Sequence, residues 1–227
     1  MARAVKKPLG GTRGRVGDVI YRYMNGRTFI SVYNGDIKVS QTKEAKNNRS
    51  KFGNTIMFSK AVNSVIDLKK VWDFSNSPGR SAYTKIFKFN SQRINADYIS
   101  KYCKITPGGI GCKIQSFEFN PSSVALEYQI EKTPENNLTA PYKAHFVIYL
   151  SDTTNSEFYP PSYFVNASKI VEEETPSDYQ TIVCNFIDST RDAISVYKKA
   201  TVFFAITKTD TKPYEWSYAC SKEFTIS

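Results

Sequence analysis

The chemistry this chain could do rests on few residues: one histidine, four cysteines, a run of spaced glycines and a surplus of carboxylates in its second half. The glycines are Gly11, Gly14 and Gly17, with Arg13 and Arg15 between them. Such a run can cradle a phosphate only where it ends a strand and opens a helix, so that backbone N–H groups and the helix dipole face the anion. Here a strand-like pattern follows the glycines, and the Gly-Lys-Ser/Thr of a nucleotide loop is absent. The run is therefore expected to let backbone bend sharply or pass close to another chain. His145 opens a strand-like run with no serine or cysteine partner motif and no spaced metal ligands around it. Cys103, Cys112, Cys184 and Cys220 form no Cys-x-x-Cys pair, which argues against a zinc ribbon. Their spacing allows a Cys103–Cys112 bridge without requiring one, and Cys184 has the setting of a buried, inert thiol. No nucleophile-elbow, zincin or kinase signature occurs. The expectation is a non-enzyme with no cofactor and no metal.

The charge is unevenly spread. Residues 1–105 hold 21 Lys and Arg against 6 Asp and Glu, whereas residues 106–227 hold 10 against 15. A basic half joined to an acidic half suggests two modules that meet different surfaces. With 227 residues, 15 Tyr and 15 Phe, the chain is long enough to bury a core and rich in strand formers. No apolar run is long enough to span a membrane as a helix, and the first residues lack the apolar core of a secretory signal. The chain is expected to be made in the cytosol and to stay there, or to leave it as part of an assembly.

The expected organisation is α+β, in four parts. Residues 1–9 form a basic arm carrying Lys6 and Lys7. Residues 10–105 form a β-hairpin followed by two or three helices. Residues 106–111, with one proline and three glycines, are the expected linker. Residues 112–227 form an antiparallel, immunoglobulin-like β-sandwich. In the hairpin, Asn25-Gly26 separates two runs of strand formers and tolerates the positive φ of a tight turn. Alternation would let one face pack while the other shows Arg22 and Arg27. From about residue 40 the apolar residues recur every three to four positions, as on an amphipathic helix, with Gly53 a possible break. A second helix is expected after residue 79, with Trp72 plugging the core and Arg80, Lys85 and Lys88 in solvent. Strands are expected at residues 113–119, 124–131, 144–150, 181–187, 200–207 and 216–225.

The stretch from Gly14-Arg15-Val16-Gly17-Asp18-Val19-Ile20-Tyr21 through Asn25-Gly26-Arg27-Thr28, with Asn47-Asn48-Arg49-Ser50-Lys51-Phe52 after it, resembles an uncharacterised domain family of Bacteroidota and their phages. The likeness covers residues 10–95. It implies no activity, since that family has none to carry over.

These readings lead to one expectation: a structural protein of a large assembly, a phage virion component. It would dock to other subunits, including copies of itself, through Lys6, Lys7, Arg13, Arg15, Arg22 and Arg27, with Gly11, Gly14 and Gly17 permitting close backbone approach. Two alternatives stand beside it: sequence-nonspecific binding of nucleic acid by the basic half, and a host-binding module that uses the sandwich loops.

Overall fold

The computed structural model describes residues 14–16, 19–24, 27–32, 39–131, 138–153, 157, 159–173, 179–210 and 212–226. The chain forms two compact units, residues 1–45 and 46–227. The division thus falls near residue 45, not at 106–111, and the expected linker lies inside the second unit.

The first unit holds an antiparallel sheet of three strands in the order β1 (Gly14–Val16), β2 (Val19–Met24), β3 (Arg27–Val32). Asn25-Gly26 lies outside the described residues, but the register on either side of it is tight: Met24 faces Arg27, and Arg22 faces Phe29. Side chains directly opposite each other share a face. Arg22, Arg27 and Phe29 therefore share one face, and all three are exposed. Tyr21, Thr28 and Ile30 share the other and are half-buried.

In the second unit, three helices and two sheets form successive layers. Helix α1 (Lys43–Ser64) begins at the unit boundary and runs through Gly53 without a break. A Cβ at Gly53 would meet nothing within 4 Å, so the glycine lowers helix propensity only slightly and no steric feature there stops the helix. The break comes instead at Val65, whose extended backbone (φ −82°, ψ 112°) separates α1 from α2 (Ile66–Phe74). Helix α3 (Ala82–Asn90) opens on a reciprocal cap, in which Ser81 and Thr84 exchange side-chain and backbone hydrogen bonds.

The eight remaining strands are β4 (Cys112–Asn120), β5 (Ser123–Ile130), β6 (Tyr142–Thr153), β7 (Ser162–Val171), β8 (Gln180–Asn185), β9 (Tyr197–Lys208), β10 (Glu215–Trp216) and β11 (Cys220–Thr225). One sheet runs β4-β5-β8. The other runs β7-β6-β9, with β10 and β11 side by side in sequence along the outer edge of β9. All these pairs are antiparallel. The expected strand at 216–225 is thus two pieces. Strand β7 and a short helix, α4 (Asp188–Ser195), add to the expected set. Half of β7 is exposed and only Val165 is buried, so it lacks the apolar alternation that marks the other strands.

Strands β6 and β9 form the middle layer. Ala144, Phe146, Ile148 and Leu150, with Val202, Phe204 and Ile206, face β4, β5 and β8 and pack on Phe117, Leu126, Tyr128 and Ile182. The intervening Val147, Tyr149, Phe203 and Ala205 face the helices and pack on Phe58, Val62, Leu68, Trp72 and Ile86. Period-two alternation is thereby buried on both sides, which is why these strands read as almost unbroken apolar runs. Trp72 is fully buried, as expected. Its indole N–H donates to the Ile105 carbonyl at 2.8 Å, and its ring meets Phe89 edge-on.

Lys85, expected in solvent, is buried. Its ammonium donates to the carbonyls of Asp73 (2.8 Å) and Ser75 (2.6 Å) at the C-terminal end of α2, where unpaired carbonyls and the dipole favour a cation. Asp73 in turn accepts from the Ala82 N–H at the start of α3. Together the two side chains fix the α2–α3 corner. Lys85→Met keeps the aliphatic stem but strips both donors from buried carbonyls, and should cost about 2–3 kcal/mol in urea unfolding. A loss below about 0.5 kcal/mol would show that water replaces the ammonium.

Candidate functional site

Polar groups gather at one end of the seam between α2 and the middle sheet. His145 of β6 stands opposite Ser168 of β7 in the strand register. Its Nδ1 lies 2.8 Å from Ser168 Oγ and its Nε2 lies 2.8 Å from Thr207 Oγ1, so both ring nitrogens are engaged by hydroxyls. Burial lowers the His145 pKa to about 4; the nearby Asp67 carboxylate opposes this and Lys143 adds to it. A neutral imidazole with both nitrogens bonded is neither a free base nor an open metal ligand. Among the described residues no group of three or more His, Cys, Asp or Glu is arranged to hold a metal ion.

Asp67, in the first turn of α2, is the charged member of this cluster. Thr209 Oγ1 donates to it at 2.5 Å, and Lys143 and Lys70 pair with it at 3.4 and 3.6 Å. Lys143 reaches on to Asp210 at 3.6 Å. Burial pushes the Asp67 carboxyl up, but the Thr209 hydrogen bond and the charges of Lys143 and His145 outweigh it and hold the pKa below the ordinary value. The cluster joins α2 to β6, β7 and β9 and leaves no group poised for catalysis. Only the alternation of Lys143 with His145, and of Thr207 with Thr209, hints at it in sequence. These polar residues occupy register positions that elsewhere on the same strands are apolar and face the helices.

The described residues also line a cavity of about 660 Å³ at the far end of the middle sheet. Its rim is a tight turn closed by the Ile94–Ile99 bridge and by the Asn95 N–H donating to the Tyr98 carbonyl. The Asn54 side chain of α1 donates to the carbonyls of Asn95 and Ala96 and clamps the turn from outside. Tyr98, about half exposed, stands on this rim. Tyr149, Ser151 and Thr201 line the cavity. Asp152 holds Lys199 at 3.2 Å, and Glu223 holds Lys101 at 3.9 Å. Asp152 and Glu223 thus each serve a lysine, and Asp97 adds a third carboxylate to the lining. The cavity offers an aromatic face, hydroxyls and charged groups, which suits recognition of a polar ligand.

Of the residues expected to form an interface, Arg22 and Arg27 share one exposed face of the first unit's sheet. Gly14 and Arg15 lie in β1, where Arg15 pairs with Ile20. Lys6, Lys7, Gly11, Arg13 and Gly17 lie outside the described residues. The thiols of Cys103 and Cys184 are buried. Burial outweighs the nearby Arg93 and raises Cys103 to about 12, as befits an inert core thiol. The expected option of a Cys103–Cys112 bridge does not form: Cys103 lies against the Arg93 carbonyl instead.

No family model matches the chain, and no curated protein matches it. Among solved structures it is similar to two of a β-glucosidase from Kluyveromyces marxianus, one selenomethionine-labelled and one in complex with glucose. Both are 13% identical to it, with TM-scores of 0.26 and 0.25. The alignments cover 62% and 63% of this chain but 16% of the β-glucosidase. Similarity at that level carries no statement about fold or activity.

His145 sets a pH dependence. Its folded pKa lies below the unfolded value of about 6.5, so the unfolded chain takes up the proton first as pH falls. The associated stability is complete above pH 6.5 and is lost as pH drops toward 4, by about 3 kcal/mol. The Asp67 contribution is lost only below about pH 4, outside that window. Denaturant unfolding from pH 7 to 4 should show this decline, and His145→Gln should flatten it. Equal slopes in both proteins would remove His145 as its source.

Proposed function

We propose that this chain is a non-enzymatic structural protein of a large assembly, a component of phage particles, that docks through its basic N-terminal region. The observation that carries the reading is the first unit. Its sheet has three short strands, one of three residues and two of six, too few to bury a core of their own. Such a sheet gains stability by laying a face or an edge against a neighbour. Arg22, Arg27 and Phe29 make one face both cationic and partly apolar, which suits an acidic protein surface with an apolar centre. Lys6, Lys7, Arg13 and Arg15 extend the same charge along the preceding chain. The second unit serves as the body. Its strand order, β4-β5-β8 over β7-β6-β9 with β10 and β11 at the edge, supports reading the two sheets as an immunoglobulin-like sandwich with a helical layer on its outer face.

The test is co-sedimentation of the full chain with particles from the producing cells. The protein should travel with them, and Arg22→Glu with Arg27→Glu should lower the bound fraction at least tenfold without changing the melting temperature of the body. A compact monomer that never co-fractionates with particles overturns the reading. Retention on DNA that falls steeply with salt would favour the nucleic-acid alternative, since release of counterions from phosphate gives that slope.

A second reading, a binding module, is favoured by the cavity beneath Tyr98. Calorimetric titration with soluble oligosaccharides should then give heat that Tyr98→Ala abolishes, because the ring supplies the stacking face. No heat across the panel removes this reading and leaves the first intact.

A further inference from the structure

The first strand of the sandwich and its last strand begin with cysteines, and the fold brings those two residues together. Just upstream, Ile110 forms a parallel bridge with Ser217: the Ile110 N–H donates to the Trp216 carbonyl at 2.8 Å, and the Tyr218 N–H donates to the Ile110 carbonyl at 2.9 Å. These bonds hold residues 110 and 216–218 side by side. Two residues beyond Ile110 comes Cys112, the first residue of β4, and three beyond Ser217 comes Cys220, the first of β11. The Cys220 thiol donates to the Cys112 carbonyl at 3.4 Å, and the Cys112 thiol hydrogen-bonds to the Cys220 sulfur. Both residues are half-buried, in contrast to the buried Cys103 and Cys184.

We infer that Cys112 and Cys220 are a redox site, at which a hydroperoxide oxidant converts the thiol pair to a disulfide that staples β4 to β11. The two strands belong to different sheets, so the bond would tie the edges of the sandwich together. It would close a loop running from residue 112 to residue 220, nearly the whole two-sheet body.

The environments of the two sulfurs divide the work. The hydrogen bond from Cys112 lowers the Cys220 pKa, burial opposes this, and the Lys104 ammonium adds to the lowering. Lys104 is held close by, its Nζ donating to the Ala219 carbonyl at 3.1 Å. The same hydrogen bond raises the Cys112 pKa, as do its burial and the negative charges of Cys220 and Glu131. With the Lys104 ammonium held on the Ala219 carbonyl beside it, Cys220 takes the part of the nucleophile once it loses its proton, and Cys112 that of the resolving thiol. In the first step the Cys220 thiolate attacks the peroxide oxygen, the O–O bond breaks, and uptake of one proton gives Cys220 sulfenic acid and water. In the second, the Cys112 sulfur attacks the Cys220 sulfur, the S–O bond breaks, and the thiol proton leaves with the hydroxyl as water. Overall, two thiols and one hydrogen peroxide give one disulfide and two waters. The inference is independent of the assembly reading, since it rests on the second unit alone.

The experiment treats the reduced, full-length protein with hydrogen peroxide, then alkylates it and maps its peptides without reduction. The expected product is one cross-linked peptide pair joining Cys112 to Cys220, with Cys103 and Cys184 alkylated only after unfolding. The oxidised protein should melt about 10 °C above the reduced one, and dithiothreitol should reverse the shift. In Cys112→Ser, a sulfenic acid should be trapped by dimedone at Cys220; in Cys220→Ser, none should be trapped at Cys112. Recovery of Cys112 and Cys220 separately alkylated after oxidation, or a cross-link through Cys103 or Cys184, overturns the inference. The wild-type peptide map decides this even if a serine variant fails to fold.

Discussion

The second unit depends on one constraint: strands β6 and β9 must bury both of their faces. A strand in the middle of three layers has no solvent side, so each of its side chains must fit one of two cores. Phe146, Ile148, Val202 and Phe204 fill the space between the sheets, while Val147, Tyr149, Phe203 and Ala205 fill the space beneath the helices. Burying a large apolar side chain contributes roughly 1.5–3 kcal/mol, so this pair of strands alone accounts for a large share of the hydrophobic stabilisation. A register slip of one residue would exchange the two sets and spoil both cores together. The helices are held where they are because the sheet leaves an apolar face that must be covered. This is also why the chain does not part at residues 106–111. The segment that looks like a linker leaves the helical core at Ile105, just before it, feeds Ile110 into the core between the sheets and bonds to residues 216–218.

Where the middle sheet meets the end of the helical layer, its apolar register gives way to Lys143, His145 and Thr207. Burying such groups is tolerable only if every polar atom finds a partner. Asp67 and Thr209 complete the set, with α2 supplying the carboxylate. The histidine that looked most like a candidate for chemistry is thereby occupied on both nitrogens and kept neutral. The same logic governs Lys85: a cation is stable in the interior when two carbonyls at a helix end receive it. In both places charge and polarity hold elements together and leave no reactive group behind.

The first unit follows a different rule. Its small sheet cannot supply a core, and its exposed face combines arginines with a phenylalanine. That composition, cationic with an apolar ring, is the observation behind the docking role proposed for this unit.

Much of this was legible in the sequence because local physics determines it. Strand alternation placed most strands of the two sheets of the second unit within a few residues, and aromatic spacing put Trp72 in the core. Other features had no local signal. Gly53 looked like a helix break because propensity favours one there, yet α1 runs through it, with Phe52 edge-on to Phe87 of α3 before it and Phe58 and Val62 buried against the middle sheet after it, and the break falls at Val65. Strand β7 escaped notice because an exposed edge strand needs no apolar alternation. Lys85 read as solvated because only the α2 carbonyls, ten and twelve residues upstream, reveal its role. The Asp67–Lys143–His145 cluster, the cavity beneath Tyr98 and the approach of Cys112 to Cys220 all join residues from 50 to more than 100 positions apart. The sequence by itself determined the elements and the charge split, since these depend on neighbours along the chain. Only the tertiary structure decided which polar groups meet, because that depends on how the middle sheet is covered.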